Sequence, residues 1–450
     1  MKEFISRKAT KIRLLDFKSL PMRTFHITWF SFFICFFGWF GIAPLMAVVR
    51  EELQLTKEQI GSTIIASVAI TVLARLAIGW LCDRIGPRIT YTYLLILGAI
   101  PVMCIGLSNS FEAFLLFRLV IGVTGASFVI TQYHASAMFA PNVVGTANAT
   151  TAGWGNLGGG VTQMIMPLLF SGFIALGFSD NLSWRYAMIL PGIVMIVMGI
   201  IYYRYTKDTP EGNFKTLKKE KDIEASASKT SHKRENTFLL AVKDIRVWAL
   251  FLIYGACFGI ELTINNIGAI YYKDLFDLDL KTAGLIAGLF GLMNLFARSL
   301  GGYFGDKSGI KWGLKGRILF LFTVLLLEGI TLMAFSQIRM LPMAIVVMVL
   351  FSLCVQMAEG ATFSIVPFIH KKAVGAVSGI VGAGGNVGAV LAGFLFRSEG
   401  ISYSYALLIL GICVTVISLF SFLVRFSEKE EKIARREIKA SLETLLPVKN

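Results

Sequence analysis

Two arginines stand where a membrane-length apolar helix should have none. Arg75 lies in ITVLARLAIGW and Arg298 in LFARSLGGYF, each eight residues before an aspartate, Asp83 and Asp306. Eight residues of helix span about 12 Å at 1.5 Å per residue, which sets both guanidinium groups deep within a bilayer of about 30 Å. An arginine there costs roughly 2.5 to 3.5 kcal/mol even on the milder insertion scale, so neither can face lipid. A pair of planar, always-charged forks suits a small planar oxyanion held between them. The other reading is local neutralisation: Glu261 and Glu359 are intramembrane acids able to pair with the arginines, and equally able to carry protons.

Glycine and amide residues gather in two further stretches, TAGWGNLGGG at 151–160 and SGIVGAGGNVGAVLAG at 378–393. Glycine costs about 1 kcal/mol against alanine inside a helix, a penalty that close packing between membrane helices offsets. Asn156 and Asn386 sit in these stretches, where either a ligand oxygen or a backbone carbonyl on a facing helix would satisfy the amide. Tyr254 and Phe258, four residues apart, share a helix face, and Phe128 follows the small-residue run VTGAS. These three aromatics are candidates to wall a binding slot. Asp83, Arg84 and Arg88 in GWLCDRIGPR, with Asp306 in the second half, read either as gating residues that hold one conformation shut or as a basic turn that sets topology. Arg118 reads as a structural or coupling charge, and His134, at the end of an apolar span, as an interfacial residue.

The elements that must position these residues follow from composition. The chain has 450 residues, 55% hydrophobic and 16% charged, with a mean hydropathy of +0.69. Soluble domains average about 45–50% apolar and 25% charged residues, so this is a polytopic membrane protein. Apolar runs near or above the roughly 20 residues needed to cross a bilayer predict twelve helices. The spans are 25–48, 60–82, 90–108, 112–134, 146–175, 185–204, 245–272, 283–304, 316–336, 341–368, 373–396 and 403–425.

The halves repeat. ARLAIGWLCDRIG answers ARSLGGYFGDKSG at one offset, 298 − 75 and 306 − 83 both giving 223. Gln132 answers Gln356 at a shift of 224 and Asn156 answers Asn386 at 230, a few inserted residues lying between. The predicted fold is therefore all-α, twelve transmembrane helices in two six-helix bundles with a site at their interface, the logic of many secondary transporters. The expected division is a tail over 1–24, bundles over 25–204 and 245–425, a charged linker over 205–244, and a second tail over 426–450. The net charge of +15 is concentrated in the tails, the linker and the links DRIGPR and GDKSGIKWGLKGR. By the positive-inside rule these face the cytoplasm, with both termini. The polar, basic start MKEFISRKATKIRLLDFKSLPMR is not expected to be a cleaved signal. All six cysteines fall in apolar spans. No disulfide, metal site or cofactor is expected, and no nucleophile-elbow, phosphate-cradling or zinc-binding motif suggests an enzyme.

GWGNLGGG, GAGGNVGAV, FGIELTINN and the paired Arg75 and Arg298 together resemble the nitrate/nitrite porter family of the major facilitator superfamily. MRTFHITWFSFF, FVITQYHASAMF, DTPEGN and VQMAEGATFSIVPF are most similar to its high-affinity nitrate transporter branch. The likeness covers residues 22–425 and departs from it at His134, where that branch tends to carry an aromatic. It implies nitrate held between Arg75 and Arg298, aromatic walls at Phe128 and Phe258, and polar contacts from Tyr254 and Asn156. It also implies uptake by alternating access across the cell membrane. Moving an anion against an inside-negative potential costs about 2.3 kcal/mol per 100 mV. Accumulation thus needs a co-ion, which makes proton symport through Glu261 or Glu359 the expectation, with nitrate/nitrite exchange or a nitrate-sensing receptor as rivals.

Overall fold

The computed structural model describes residues 8–217, 237–278, 280–397 and 401–443. Parts of both expected tails (1–7 and 444–450) and part of the linker (218–236) lie outside these residues. Twelve helical spans cross the core. They are α1 (Leu20–Phe40), α2 (Lys57–Ile85), α3 (Pro87–Cys104), α4 (Phe111–Ile121, then Ser127–Met138), α5 (Val144–Ala175) and α6 (Asp180–Tyr205). The second set is α7 (Ile245–Phe276), α8 (Leu280–Leu292, then Ala297–Trp312), α9 (Leu314–Gln337), α10 (Leu341–Ile369), α11 (Val374–Arg397) and α12 (Tyr403–Ser418). A last helix, α13 (Glu428–Glu443), is amphipathic and lies outside the spans.

Ten of the spans are long and apolar enough to cross a membrane by composition alone. In α8 a 3-10 turn over Met293–Leu295 breaks the helix just before Arg298. A second 3-10 turn, Gly122–Ala126, breaks α4 just before Phe128. Both breaks sit next to candidate site residues.

Helix boundaries have local causes. Thr56 and Gln59 form a reciprocal capping box that starts α2, with Thr56 Oγ1 accepting from the Gln59 amide at 3.2 Å and Gln59 Oε1 from the Thr56 amide at 2.9 Å. The tight links after α2 and α8 turn on Gly86 (φ 92°) and Gly313 (φ 73°), conformations that L side chains avoid. Several boundaries differ from the sequence expectation by more than a few residues, among them the end of α8 at Trp312 instead of 304, the end of α12 at Ser418 instead of 425, and both ends of the first span. The first span starts at Leu20 and ends at Phe40, and the run to 48 instead passes through a 3-10 turn over Ala43–Leu45, because Gly41 and Pro44 interrupt the helix.

Each bundle packs its own first and fifth helices together, α1 on α5 and α7 on α11. The bundles meet through α2 on α11 and through α5 on α8 and α10. Glycine makes this crossing possible. A methyl on Gly375 would collide with the Gly79 carbonyl, and one on Gly302 with that of Gly145, so these backbones touch directly. The crossing brings Arg75 of α2 and Arg298 of α8 to the centre. On the outside, α13 tucks Ala434 and Ile438 against the body, while Glu431 accepts from the Leu314 amide at 3.1 Å and Arg435 Nη2 donates to the Trp312 carbonyl at 3.0 Å.

Candidate functional site

Arg75 and Arg298 are 0% and 1% exposed. Both guanidinium groups stand over the same two rings. The Arg75 Cζ lies 5.1 Å from the Phe128 centroid and 5.2 Å from that of Phe258, and the Arg298 Cζ lies 5.5 and 5.8 Å from the same pair. Phe128 and Phe258 are stacked, 6.2 Å apart and 13° from parallel. Tyr254 stacks on Phe258 at 5.3 Å, and Phe363 meets Phe128 and Tyr254 edge-on at 4.9 and 5.0 Å. The result is an aromatic box with a cation from each bundle at its rim. Two carbon contact distances require about 7 Å between ring planes. A flat anion seated between Phe128 and Phe258 needs that separation between their planes.

The arginines differ in their partners. Arg75 Nη1 donates to the Gly382 carbonyl and Nε to that of Gly125 at 3.4 Å, while Nη2 is buried with no hydrogen-bond partner. Its described ion pairs include no carboxylate. Arg298 donates from Nη2 to the Tyr254 hydroxyl at 2.6 Å, forms an ion pair with Glu359, and lies 3.8 Å from Glu261 Oε2. Glu261 in turn accepts from Asn294 Nδ2 at 2.5 Å. Neutralisation by the intramembrane acids thus applies to Arg298 and not to Arg75. This electrostatic asymmetry leaves the box with an uncompensated positive charge on the α2 side, the condition for holding an anion.

The glycine stretches do two jobs. In α5, methyl groups on Gly155 and Gly158 would strike Phe32 and Phe33 of α1, whereas Gly153 faces Arg298 and the Asn294 carbonyl. In α11, Gly384 and Gly388 press on α7, and Gly382 faces Phe128 and Arg75. Asn386 is fully buried with both amide atoms unpartnered, and Asn156, partly buried, has the same two atoms unpartnered. Buried amides without partners are unusual enough to require an explanation, and a ligand supplies one.

At the end of the bundles nearest the links, two aspartates cross the interface. Asp83 accepts from the Gly375 and Ala376 amides at 3.1 and 2.9 Å, capping the N-terminus of α11. Asp306 accepts from the Gly145 and Thr146 amides at 3.0 and 2.6 Å and from Thr146 Oγ1 at 2.7 Å, capping α5. Each carboxylate meets the positive end of a helix dipole in the opposite bundle. Arg84 lies over the Trp80 ring at 4.9 Å, and Arg88 over Tyr203 at 4.1 Å. Arg118 donates to the Trp39 carbonyl at 3.1 Å, tying α4 to α1. His134, expected at an interface, is fully buried between the Tyr202 hydroxyl at 2.5 Å and the Lys207 carbonyl at 2.7 Å.

Sequence reasoning missed Phe363, Asn294 and Arg317. Arg317 pairs with Asp306 at 2.7 Å and donates across the interface to the Pro141 carbonyl at 2.8 Å. In sequence it is one of several basic residues in a link, which hides it among topology-setting charges. Phe363, between Thr362 and Ser364, is one of 36 phenylalanines, and nothing in its spacing singles it out.

With this geometry in place, comparisons with known proteins carry information. A model of the Major Facilitator Superfamily matches residues 28–393. The high affinity nitrate transporter 2.5 of Arabidopsis thaliana is 40% identical over 94% of this chain and 83% of its own length. The nitrate/nitrite transporter NrtP of Picosynechococcus sp. is 32% identical over 81% of this chain and 83% of its own. Among solved structures, that of the proton:xylose symporter XylE superposes with a TM-score of 0.67 at 15% identity, covering 92% of this chain and 99% of that one.

Proposed function

Because the chain belongs to the major facilitator superfamily and, within it, to the family of the high-affinity nitrate transporters, we propose that it imports nitrate across the cell membrane by alternating access. One observation carries this reading: a guanidinium from each bundle stands over the same pair of stacked phenylalanine rings. Nitrate is planar and singly charged. It fits between two flat apolar faces, with its oxygens directed at forks that match its geometry. Tyr254, Asn156 and Asn386 complete the polar contacts, and nitrite is the natural second substrate. The basic links and both termini belong to the cytoplasmic side. In this orientation Asp83 and Asp306, clasping the opposite bundle, hold the cytoplasmic end shut, and their release lets the bundles rock about the slot.

Proton symport supplies the energy in this reading. One proton per nitrate cancels the charge, and two let the inside-negative potential drive uptake. Glu359 and Glu261 carry protons: neutralising Glu359 frees Arg298 to bind the anion, which ties proton binding to nitrate binding. Exchange of nitrate against nitrite is the second reading, favoured by the Arg298–Glu359 pair if it persists through the cycle as a fixed bridge.

The test is labelled-nitrate uptake into proteoliposomes, with a pH gradient and an inside-negative potential imposed separately, and nitrite either trapped inside or absent. Proton-driven accumulation without internal nitrite supports symport; flux only against trapped nitrite overturns it in favour of exchange. Glu359→Gln and Glu261→Gln should still bind nitrate while losing pH-driven uptake. Unchanged pH dependence in both removes them as carriers.

A further inference from the structure

A further acid lies buried outside the slot. Glu328, on α9, is 0% exposed, and neither of its carboxyl oxygens has a hydrogen-bond partner. It takes part in none of the described ion pairs, in contrast to Glu359, which holds Arg298. The groups in electrostatic reach are Cys354 and Glu359 on α10 and Cys257 on α7. Among its other neighbours, α12 brings Gly411 and Thr415 against the adjacent Gly329, with its own Cys413 exposed, and α8 sends Arg298 to Glu359 instead. An ionised carboxylate without a partner in such a place is prohibitively costly, whereas the neutral acid is tolerable. Acids placed this way inside membranes mark proton relays far more often than they serve packing.

We infer that Glu328 is a proton-carrying site of the transport cycle, holding the second of the two protons taken up with each nitrate. The inference rests on the symport reading and extends it. With Glu328 neutral, the charges of Arg75, Arg298, Glu261 and Glu359 sum to zero, and nitrate adds one negative charge. A proton on the Glu261–Glu359 pair restores neutrality. The potential gains a positive charge to act on only if a second proton travels, and Glu328, on α9 within electrostatic reach of Glu359 on α10, is placed to carry it. In each cycle the O–H bond of the Glu328 carboxyl breaks and water on the cytoplasmic side takes the proton. A proton from the outer side restores the bond after the bundles reverse.

The experiment compares the full-length wild type with Glu328→Gln in proteoliposomes. Protons per nitrate are read from the reversal potential, and counterflow of labelled nitrate is measured with no gradient imposed. Glu328→Gln, which mimics the neutral acid, should keep wild-type counterflow while its stoichiometry falls from two protons to one, so that an inside-negative potential no longer speeds uptake. Glu328→Asp, which still titrates, should keep the wild-type ratio. A Glu328→Gln protein with the wild-type ratio and potential dependence overturns the inference. If that variant does not fold, infrared difference spectra of the Glu261→Gln/Glu359→Gln double variant decide the matter: a carboxylic band that still titrates supports Glu328, and its absence sinks the proposal. Failure of the underlying symport reading is distinguishable, because the wild type itself would then accumulate nitrate without moving protons.

Discussion

Arg75 and Arg298 occupy matching positions in the two bundles and stand over the same two rings, yet their surroundings have diverged. The first is held by the carbonyls of Gly382 and Gly125, which orient a cation without cancelling its charge. The second is held by Glu359, with Glu261 nearby and the Tyr254 hydroxyl as a third partner. Among the described residues the buried glutamates, Glu261, Glu328 and Glu359, all come from the second bundle. On the proposed reading, the two repeated arginine-bearing units serve differently, one as a fixed anion anchor and the other as a cation whose availability an acid controls.

If that division is real, the two arginines should respond unequally to the same change. Lysine keeps the charge but loses the planar fork. Arg75→Lys should weaken nitrate binding the most: losing two charge-assisted hydrogen bonds at about 2 kcal/mol each raises the Kd roughly a thousandfold. Arg298→Lys retains its attraction to Glu359 and should cost less, about tenfold to a hundredfold. Nitrate titration of purified protein by calorimetry or thermal shift reads both. Equal losses would break the comparison and restore two equivalent anchors.

The clasping aspartates show the same pattern of matched position and unequal company. Asp306 also carries Arg317, which is 0% exposed, whereas among the described residues Asp83 meets the Gly375 and Ala376 amides and the Thr237 hydroxyl. Asp306→Asn leaves a buried guanidinium uncompensated and should destabilise the closed cytoplasmic end by about 3 kcal/mol. Asp83→Asn removes a charged cap and should cost about 1 kcal/mol. Thiol accessibility of cysteines placed between α2 and α11, and between α5 and α8, measures the opening. The Asp306 variant should be the more open, and a larger effect at Asp83 would place the main latch on α2.

Much of this was legible in the sequence, for a definite reason. The twelve spans follow from the penalty for exposing backbone to lipid, which turns apolar length directly into helix. The arginines stood out because intramembrane charge is costly, and their equal spacing to an aspartate exposed the repeat. The aromatic walls were visible mainly through the family likeness, since Phe128 and Phe258 are two among 36 phenylalanines. What remained hidden depended on which groups the fold places together. Nothing in the order of residues says that Glu359 selects Arg298 over Arg75, or that Arg317 belongs to Asp306. Glu328 carries no neighbouring motif, so only its burial without a partner draws attention to it.

The two asparagines provide the finest test of the comparison, with the smallest expected effects. Asn386 lies on α11, the helix whose Gly382 carbonyl holds Arg75, and is fully buried. Asn156 lies on α5, whose Gly153 faces the compensated Arg298, and is partly exposed. If the anion is anchored on the Arg75 side, Asn386 gives the stronger contact. A single hydrogen bond to a charged ligand is worth about 1.5 kcal/mol or more when buried and less where water competes. Asn386→Ala should therefore raise the Kd for nitrate about tenfold, and Asn156→Ala about threefold. Removing an unpartnered amide from a closed packing position would instead leave affinity unchanged and raise thermal stability, because desolvation of the amide would no longer oppose folding. Affinity and melting temperature measured on the same samples separate these outcomes. A rise in stability at Asn386 with no loss of binding would return that residue to packing and leave Tyr254 and the arginines to hold the anion.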